Sequence, residues 1–163
     1  SNDNTACGIT MDPASANQAN TDQGGYSLNY NAANGNIHLY AGDPSGTTLS
    51  TYTVGDIIGI YMDLDNMECY FGKNGVIQNS GTGLTISASN TGFYYFQVND
   101  YTGSANYWTW QWNFGAGCPF TISSAVADAN GYGAFEYDPS AGTFDGASKD
   151  FYALNTKNLA EYG

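Results

Sequence analysis

Apolar and polar residues alternate most clearly over residues 54–76, VGDIIGIYMDLDNMECYFGKNGV. From Ile58 onward, Ile58, Ile60, Met62 and Leu64 fall on one side. Gly59, Tyr61, Asp63 and Asp65 fall on the other. A period of two marks a strand with one buried face. Asp65-Asn66 breaks the run, because both residues tolerate tight-turn backbone. Residues 68–73 return as a second strand with Cys69 and Phe71 inward. Asn74-Gly75 then predicts a type I′ hairpin turn, which needs positive φ at both central residues.

Shorter strands are predicted on either side of this hairpin. Residues 6–10, ACGIT, and 26–30, YSLNY, read as strands, and Asn34-Gly35 predicts a hairpin with 36–40 as its return. Leu84-Thr85-Ile86 and 93–98, FYYFQV, follow. Residues 107–114, YWTWQWNF, read as a strong strand. Residues 12–25, 41–50 and 99–107 are polar, turn-rich loops. Beyond them the pattern weakens. Ser123-Ser124 predicts a cap for one helical turn through Asn130, ended by Gly131. Residues 128–137 and 151–163 show little periodicity.

Composition agrees with an all-β chain. In 163 residues there are 21 Gly and 14 Tyr, with 11% charged residues, a turn-rich and aromatic mixture sized for one domain. The net charge is −12, from 15 acids against three lysines and no arginine. Such a chain repels phosphate backbones and anionic membrane surfaces, which excludes nucleic acid as a partner. Neutral sugars and divalent cations stay compatible, although acidity also serves solubility alone. The sequence contains no transmembrane run, and membrane insertion is not expected. It begins without an initiator Met or a signal peptide, as an excised or processed piece would. Cys69 falls on the inner face of the hairpin as a buried thiol, while the spacing of Cys7 and Cys118 neither demands nor forbids pairing. An odd cysteine count without C-x-x-C argues against a disulfide framework or a zinc site. No metal or cofactor is expected.

The central motifs resemble those of SPRY domains, which are concanavalin-like jelly-roll sandwiches. The resemblance rests on Gly55, Asp56, Ile58 and Gly59, on the Asp63-Leu64-Asp65 turn, and on Phe71, Lys73, Asn74 and Gly75. Residues 6–10 resemble the SPRY V-G-I strand, and Asn113-Phe114-Gly115 the NFG that closes the sandwich. The tail sequences ADANGYGAFEY and FYALNTKNLAEYG, with QNSGTG at 78–83, resemble SPRY units in large structural proteins of tailed, often marine, bacteriophages. This resemblance implies an antiparallel β-sandwich at 6–118 lacking its usual first strand. It also implies an irregular C-terminal extension at 119–163 packed on that sandwich. The absent strand is expected from an upstream segment or another subunit of the same assembly, by β-augmentation. Host-surface glycans and a homo-oligomer are further expected partners. The implied location is a virion or the extracellular space.

Candidate chemistry is sparse. Trp108, Trp110, Trp112 and Phe114 share one side of their segment. As inward core they would each remove roughly 200 Å² from water, an upper bound of about 5 kcal/mol apiece. Exposed, they would form a platform for sugar stacking. The SPRY register favours core, leaving Tyr107, Thr109, Gln111 and Asn113 wet. SPRY partner surfaces are inter-strand loops, so the binding candidates are Asp43, Asn99, Asp100, Tyr101 and Tyr107, which combine carboxylate, amide and phenol groups. Asp63 and Asp65 pair as acid and base would in a glycosidase, or as calcium ligands, but DLD in SPRY domains is turn chemistry. His38 has no second ligand nearby in sequence and reads as a surface strand residue. The expectation is a non-enzymatic adhesion or assembly module of a phage virion or appendage protein, acting through sandwich-end loops. The alternatives are a glycan-processing enzyme on a jelly-roll scaffold and a cellular SPRY protein-interaction module.

Overall fold

The computed structural model describes residues 5–11, 27–38, 44–89, 91–100 and 108–162. Strands β1 (Thr5–Thr10), β2 (Ser27–Asn31), β3 (Asn36–His38), β4 (Pro44–Thr48) and β9 (Tyr95–Asp100) form one sheet, in the order β4-β3-β2-β1-β9. Strands β5 (Ile58–Asp63), β6 (Glu68–Lys73) and β7 (Val76–Ile77) form a second, and β8 (Leu84–Thr85) also pairs with β6. A short 3-10 turn covers Asn79–Gly81, and one helix, α1, covers Thr156–Tyr162. The all-β antiparallel sandwich with an irregular tail is thus the class observed.

The hairpin forms as its residues dictate. Asn74 and Gly75 have φ of 49° and 79°, the left-handed pair that a type I′ turn requires. At the other end, Asp63 accepts hydrogen bonds from the Asn66 backbone N–H (3.0 Å) and from its Nδ2 (2.9 Å). Asp63 therefore does the turn work expected of DLD.

The chain divides into two compact units. The first comprises Ser1–Asp56, Met62–Cys69 and Leu84–Thr109; the second comprises Ile57–Tyr61, Tyr70–Gly83 and Trp110–Gly163. This division interleaves along the chain.

In the first unit, β1 lies between β2 and β9, with Cys7 opposite Tyr30 and Val98, and Ile9 opposite Leu28 and Phe96. That face is the core: Cys7, Ile9, Leu28, Tyr30 and Ile37 are all buried. Because β1 is paired on both flanks, the open edges of its sheet among the described residues are β4 and β9. A donated strand would have to add there.

In the second unit, Tyr70, Phe144 and Phe151 pack as a ring cluster with Tyr61. Centroid separations run from 4.8 Å for Phe144–Phe151 to 6.1 Å for Tyr70–Phe151. Tyr70 and Phe144 are 1% and 0% exposed. One buried face was expected for β6, yet Cys69, Tyr70 and Phe71 are all buried. Tail rings bury Tyr70, which alternation alone would have left wet.

Several expectations are corrected. Residues 108–114 form no strand. Trp108, Trp110 and Trp112 are half-buried, and Phe114 is 38% exposed and stacks on Trp112 (centroids 5.8 Å apart), so it is not inward core. The alternation survives in part, since Thr109 and Gln111 are exposed. Asn113 is no wet strand residue but a turn former: its Oδ1 accepts from Gly115 N–H (2.8 Å) and its Nδ2 donates to Ala134 C=O (2.8 Å). Residues 123–130 form no helix. Instead the backbone N–H and hydroxyl of Ser123 bond the Glu136 carboxylate, and Val126 bridges Phe135. The helix lies later, at Thr156–Tyr162, capped by Asn155 Oδ1, which accepts from Lys157 N–H (3.0 Å) and Asn158 N–H (2.9 Å). Within 41–50, Pro44–Thr48 is strand and not loop.

Candidate functional site

The loop candidates fare unevenly. Asp43, Tyr101 and Tyr107 lie outside the described residues. Asn99 and Asp100 are not in a loop; they end strand β9. Their placement follows from the register of β1 against β9, which runs from Thr10↔Tyr95 to Thr5↔Asp100 without a break.

This register puts Asn99 on the face of the first sheet opposite the core. Ala6 lies between Asn31 of β2 and Asn99 of β9, and Gly8 lies between Asn29 and Gln97. Two adjacent rungs thus carry amides on both sides of a small residue. The amides reach across: Gln97 Nε2 donates to Asn29 Oδ1 at 2.8 Å, and Asn99 Nδ2 donates to the same oxygen at 3.3 Å. Gly8 makes the crossing feasible. A Cβ there would sit 1.9 Å from the Leu28 carbonyl oxygen, so β1 and β2 meet too closely for any side chain. A third rung adds Ser27, Thr10 and Tyr95.

The floor of this face is buried: Asn29 is 1% exposed, Asn31 4% and Ser27 6%. Its β9 flank is more open, with Gln97 and Asn99 half-buried and Tyr95 exposed. Buried amides need hydrogen-bond partners. Asn29 has them, in Gln97, Asn99 and Ser27. Asn31 Oδ1 accepts from Ala33 N–H (2.9 Å), but its Nδ2 has no partner among the described residues. Gln97 Oε1 and Asn99 Oδ1 are likewise unengaged among them. Sequence reading found Asn99 but missed Asn29, Asn31 and Gln97. The signal was present as amides at alternate positions in YSLNYN and FQVND.

On the core face of the same sheet, Tyr52 OH donates to Tyr30 C=O (2.9 Å) and lies 3.7 Å from Cys7 Sγ. Burial pushes the Cys7 thiol up to about 12, against the opposing pull of the Tyr52 hydrogen bond. Burial also raises Cys69, with Cys7 adding to the effect. Neither thiol supplies a thiolate near neutrality, so neither is a nucleophile. All three cysteines are free, and Cys118 is half-buried.

The carboxylates with visible partners serve structure. Burial acts to raise Asp128. Four hydrogen bonds oppose it: from Ala153 N–H (2.8 Å), Tyr132 N–H (2.8 Å), Asn158 Nδ2 (2.6 Å) and Asn130 N–H (3.0 Å). Together they hold its carboxyl below the usual range. Asp145 accepts from Tyr70 OH and from Gly83 N–H (2.9 Å), and pairs with Lys149 at 3.5 Å. No group of three or more His, Cys, Asp or Glu converges as metal ligands among the described residues. His38 is a half-buried strand residue opposite Asn29 and Pro44. No helix among the described residues is long and apolar enough to cross a membrane.

Comparison with protein-family models, curated proteins and solved structures finds no match to this chain.

Proposed function

We propose that this chain is a non-enzymatic structural or adhesion module of a phage virion or appendage protein, built on a SPRY-like sandwich. It works outside the cell, contacting host-surface glycans or neighbouring subunits. One observation carries the reading: the motifs that resemble phage SPRY units hold one another together inside a single compact unit. Asn113 of NFG bonds Ala134 of GYGAFEY, and Asp128 at its head bonds Ala153 and Asn158 of FYALNTKNL. Gly81 and Gly83 of QNSGTG bond Asp145. Motifs that depend on each other physically support a resemblance drawn from all of them at once.

The chemistry on view suits contact better than turnover. The described polar cluster on the first sheet is made of neutral amides, and the Asp63 carboxylate is engaged by Asn66. The test is an oligosaccharide array probed with the whole chain, run beside a sizing measurement of its self-association. Glycan binding or a defined oligomer is expected. Hydrolysis of any polysaccharide, abolished by Asp63→Asn, would overturn the non-enzymatic assignment.

A further inference from the structure

Strand β9 ends one side of the first sheet, and its ladder tells which way its backbone groups point. Ala32 N–H donates to Thr5 C=O (2.8 Å), so Thr5 faces β2. Backbone groups alternate sides along a strand, which turns Cys7 and Ile9 towards β2 as well, and Ala6, Gly8 and Thr10 towards β9. Their register partners Asn99, Gln97 and Tyr95 face back to β1. Val98 lies among them and turns its N–H and C=O to the open side, where neither has a partner among the described residues. We infer that this edge pairs, antiparallel, with the β9 edge of a second copy about a twofold axis through Val98. The inference rests on the assembly half of the proposed function and names its surface.

The two edges of the sheet differ in how they are guarded. Proline, charge or a bulge normally blunts an open edge. Strand β4 begins at Pro44, which has no N–H to offer, and its pairing shifts register between Asn36 and His38. Strand β9 has none of these devices over residues 95–99. They include no proline and no charged residue, and the register with β1 is unbroken. They are also accessible: Tyr95 is exposed and residues 96–99 are half-buried, whereas β1 is buried throughout.

The side chains suit a second copy. Residues opposite one another in an antiparallel pair share a face. A twofold through Val98 therefore sets Val98 against Val98, and Gln97 against Asn99 of the second copy. The unengaged Gln97 Oε1 and a second hydrogen on Asn99 Nδ2 then stand across the seam from one another. Asp100 falls opposite Phe96 and not opposite another Asp100, which keeps the two acids at opposite ends of the pairing. Charge points to the same occupant. A basic strand would find no acid along residues 95–99, while an equally uncharged β9 meets no repulsion there. The amide faces join, and two five-stranded sheets become one. So short a contact buries less than a standard interface, which makes the pairing weak and dependent on concentration. The net charge of −12 on each copy makes it stronger in salt.

The experiment follows the whole chain by sedimentation from micromolar to millimolar concentration, in low and high salt. Amide hydrogen exchange is read at both ends of the range. The expected result is a monomer–dimer equilibrium strengthened by salt. Val98 N–H should exchange fast when dilute and slowly when concentrated, while Gln97 N–H, which faces β1, stays slow in both. Val98→Pro removes the central donor and spares the β1 ladder, because that N–H faces outward. It should weaken dimerisation about tenfold or more, as the loss of the two central hydrogen bonds predicts. Thermal melting checks its fold, and should it not fold, exchange at Val98 in the wild type decides alone. A chain monomeric across the range, or a dimer in which Val98 exchange stays fast, would overturn the pairing. Either result leaves the adhesive reading to the oligosaccharide array, so the two fail separately.

Discussion

Asn158 Nδ2 donates to Asp128 Oδ2 across 2.6 Å, although thirty residues separate the two along the chain. The same Asp128 oxygen accepts from Ala153 N–H, and its other oxygen caps the turn through Asn130 and Tyr132. Around this carboxylate the tail closes on itself: Tyr132 OH donates to Glu161, and Lys157 Nζ lies 4.0 Å from the centre of the Tyr132 ring. One buried acid thus gives an irregular segment a fixed shape.

Removing that acid should loosen the tail. Asp128→Ala strands three backbone N–H donors, and hydrogen bonds to a charged acceptor contribute about 1.5–3 kcal/mol each without adding fully. A loss of about 3 kcal/mol is expected in urea unfolding. The amides of Ala153 and Tyr132 should lose exchange protection before those of β1.

The same carboxylate sets a pH dependence. Its folded-state pKa lies below its ordinary value of 3.8, so the stabilisation is complete above that value and fades as pH falls through the folded one. Wild type should therefore lose tail order below about pH 3.8, whereas Asp128→Asn should show no such step from this group. Amide chemical shifts of Ala153 and Asn130, followed from pH 6 to 2, would check it.

Phe144 is wholly buried among Tyr61, Tyr70 and Phe151. Phe144→Ala should cost about 3–5 kcal/mol, as large-to-small changes at packed aromatics do. A fall of less than about 1 kcal/mol by denaturant melting would show that this cluster does not form a core.

Gly8→Ala should be among the most damaging single changes outside that cluster. The added methyl meets the Leu28 backbone 1.9 Å away, and neither strand can retreat without breaking ladder bonds on its far side. A loss of more than about 3 kcal/mol, or failure to fold, is expected.

Thiol labelling offers a cheap check of the buried faces. Cys7 and Cys69 are 1% and 0% exposed with raised thiol pKa values, while Cys118 is half-buried. A thiol-reactive dye should modify one thiol per native chain promptly, and three after denaturation.

Local signals made the hairpins legible. Asn74-Gly75 and the Ile58–Asp63 alternation specify turn and strand through backbone sterics and side-chain period, which need no partner. The tryptophan segment misled because aromatic alternation suits any half-buried extended chain, whether or not a neighbour completes a ladder. Phe114 was lost because the NFG turn is set by Asn113 and by Gly115, whose φ of 93° no bulky residue adopts readily. The tail resisted reading because Asp128 and Asp145 organise it through distant backbone groups, which leave no period. Helix α1 was the exception, announced by Asn155 as its cap and overlooked for want of a longer apolar stripe. At the candidate site, Asn99 was singled out by its amide, but its companions came from strands whose pairing spans much of the chain. Pairing of that kind appears only in the register.

Placing β1 between β2 and β9 also fixes an order of events during synthesis. Thr10 meets Ser27 soon after both leave the ribosome, but it must wait for Tyr95 to gain its second neighbour. Through that interval the nascent chain exposes one raw flank of a strand bearing Cys7 and Ile9, the kind of surface that chaperones cover and that sticks to its own copies. Closing so long a loop is entropically slow.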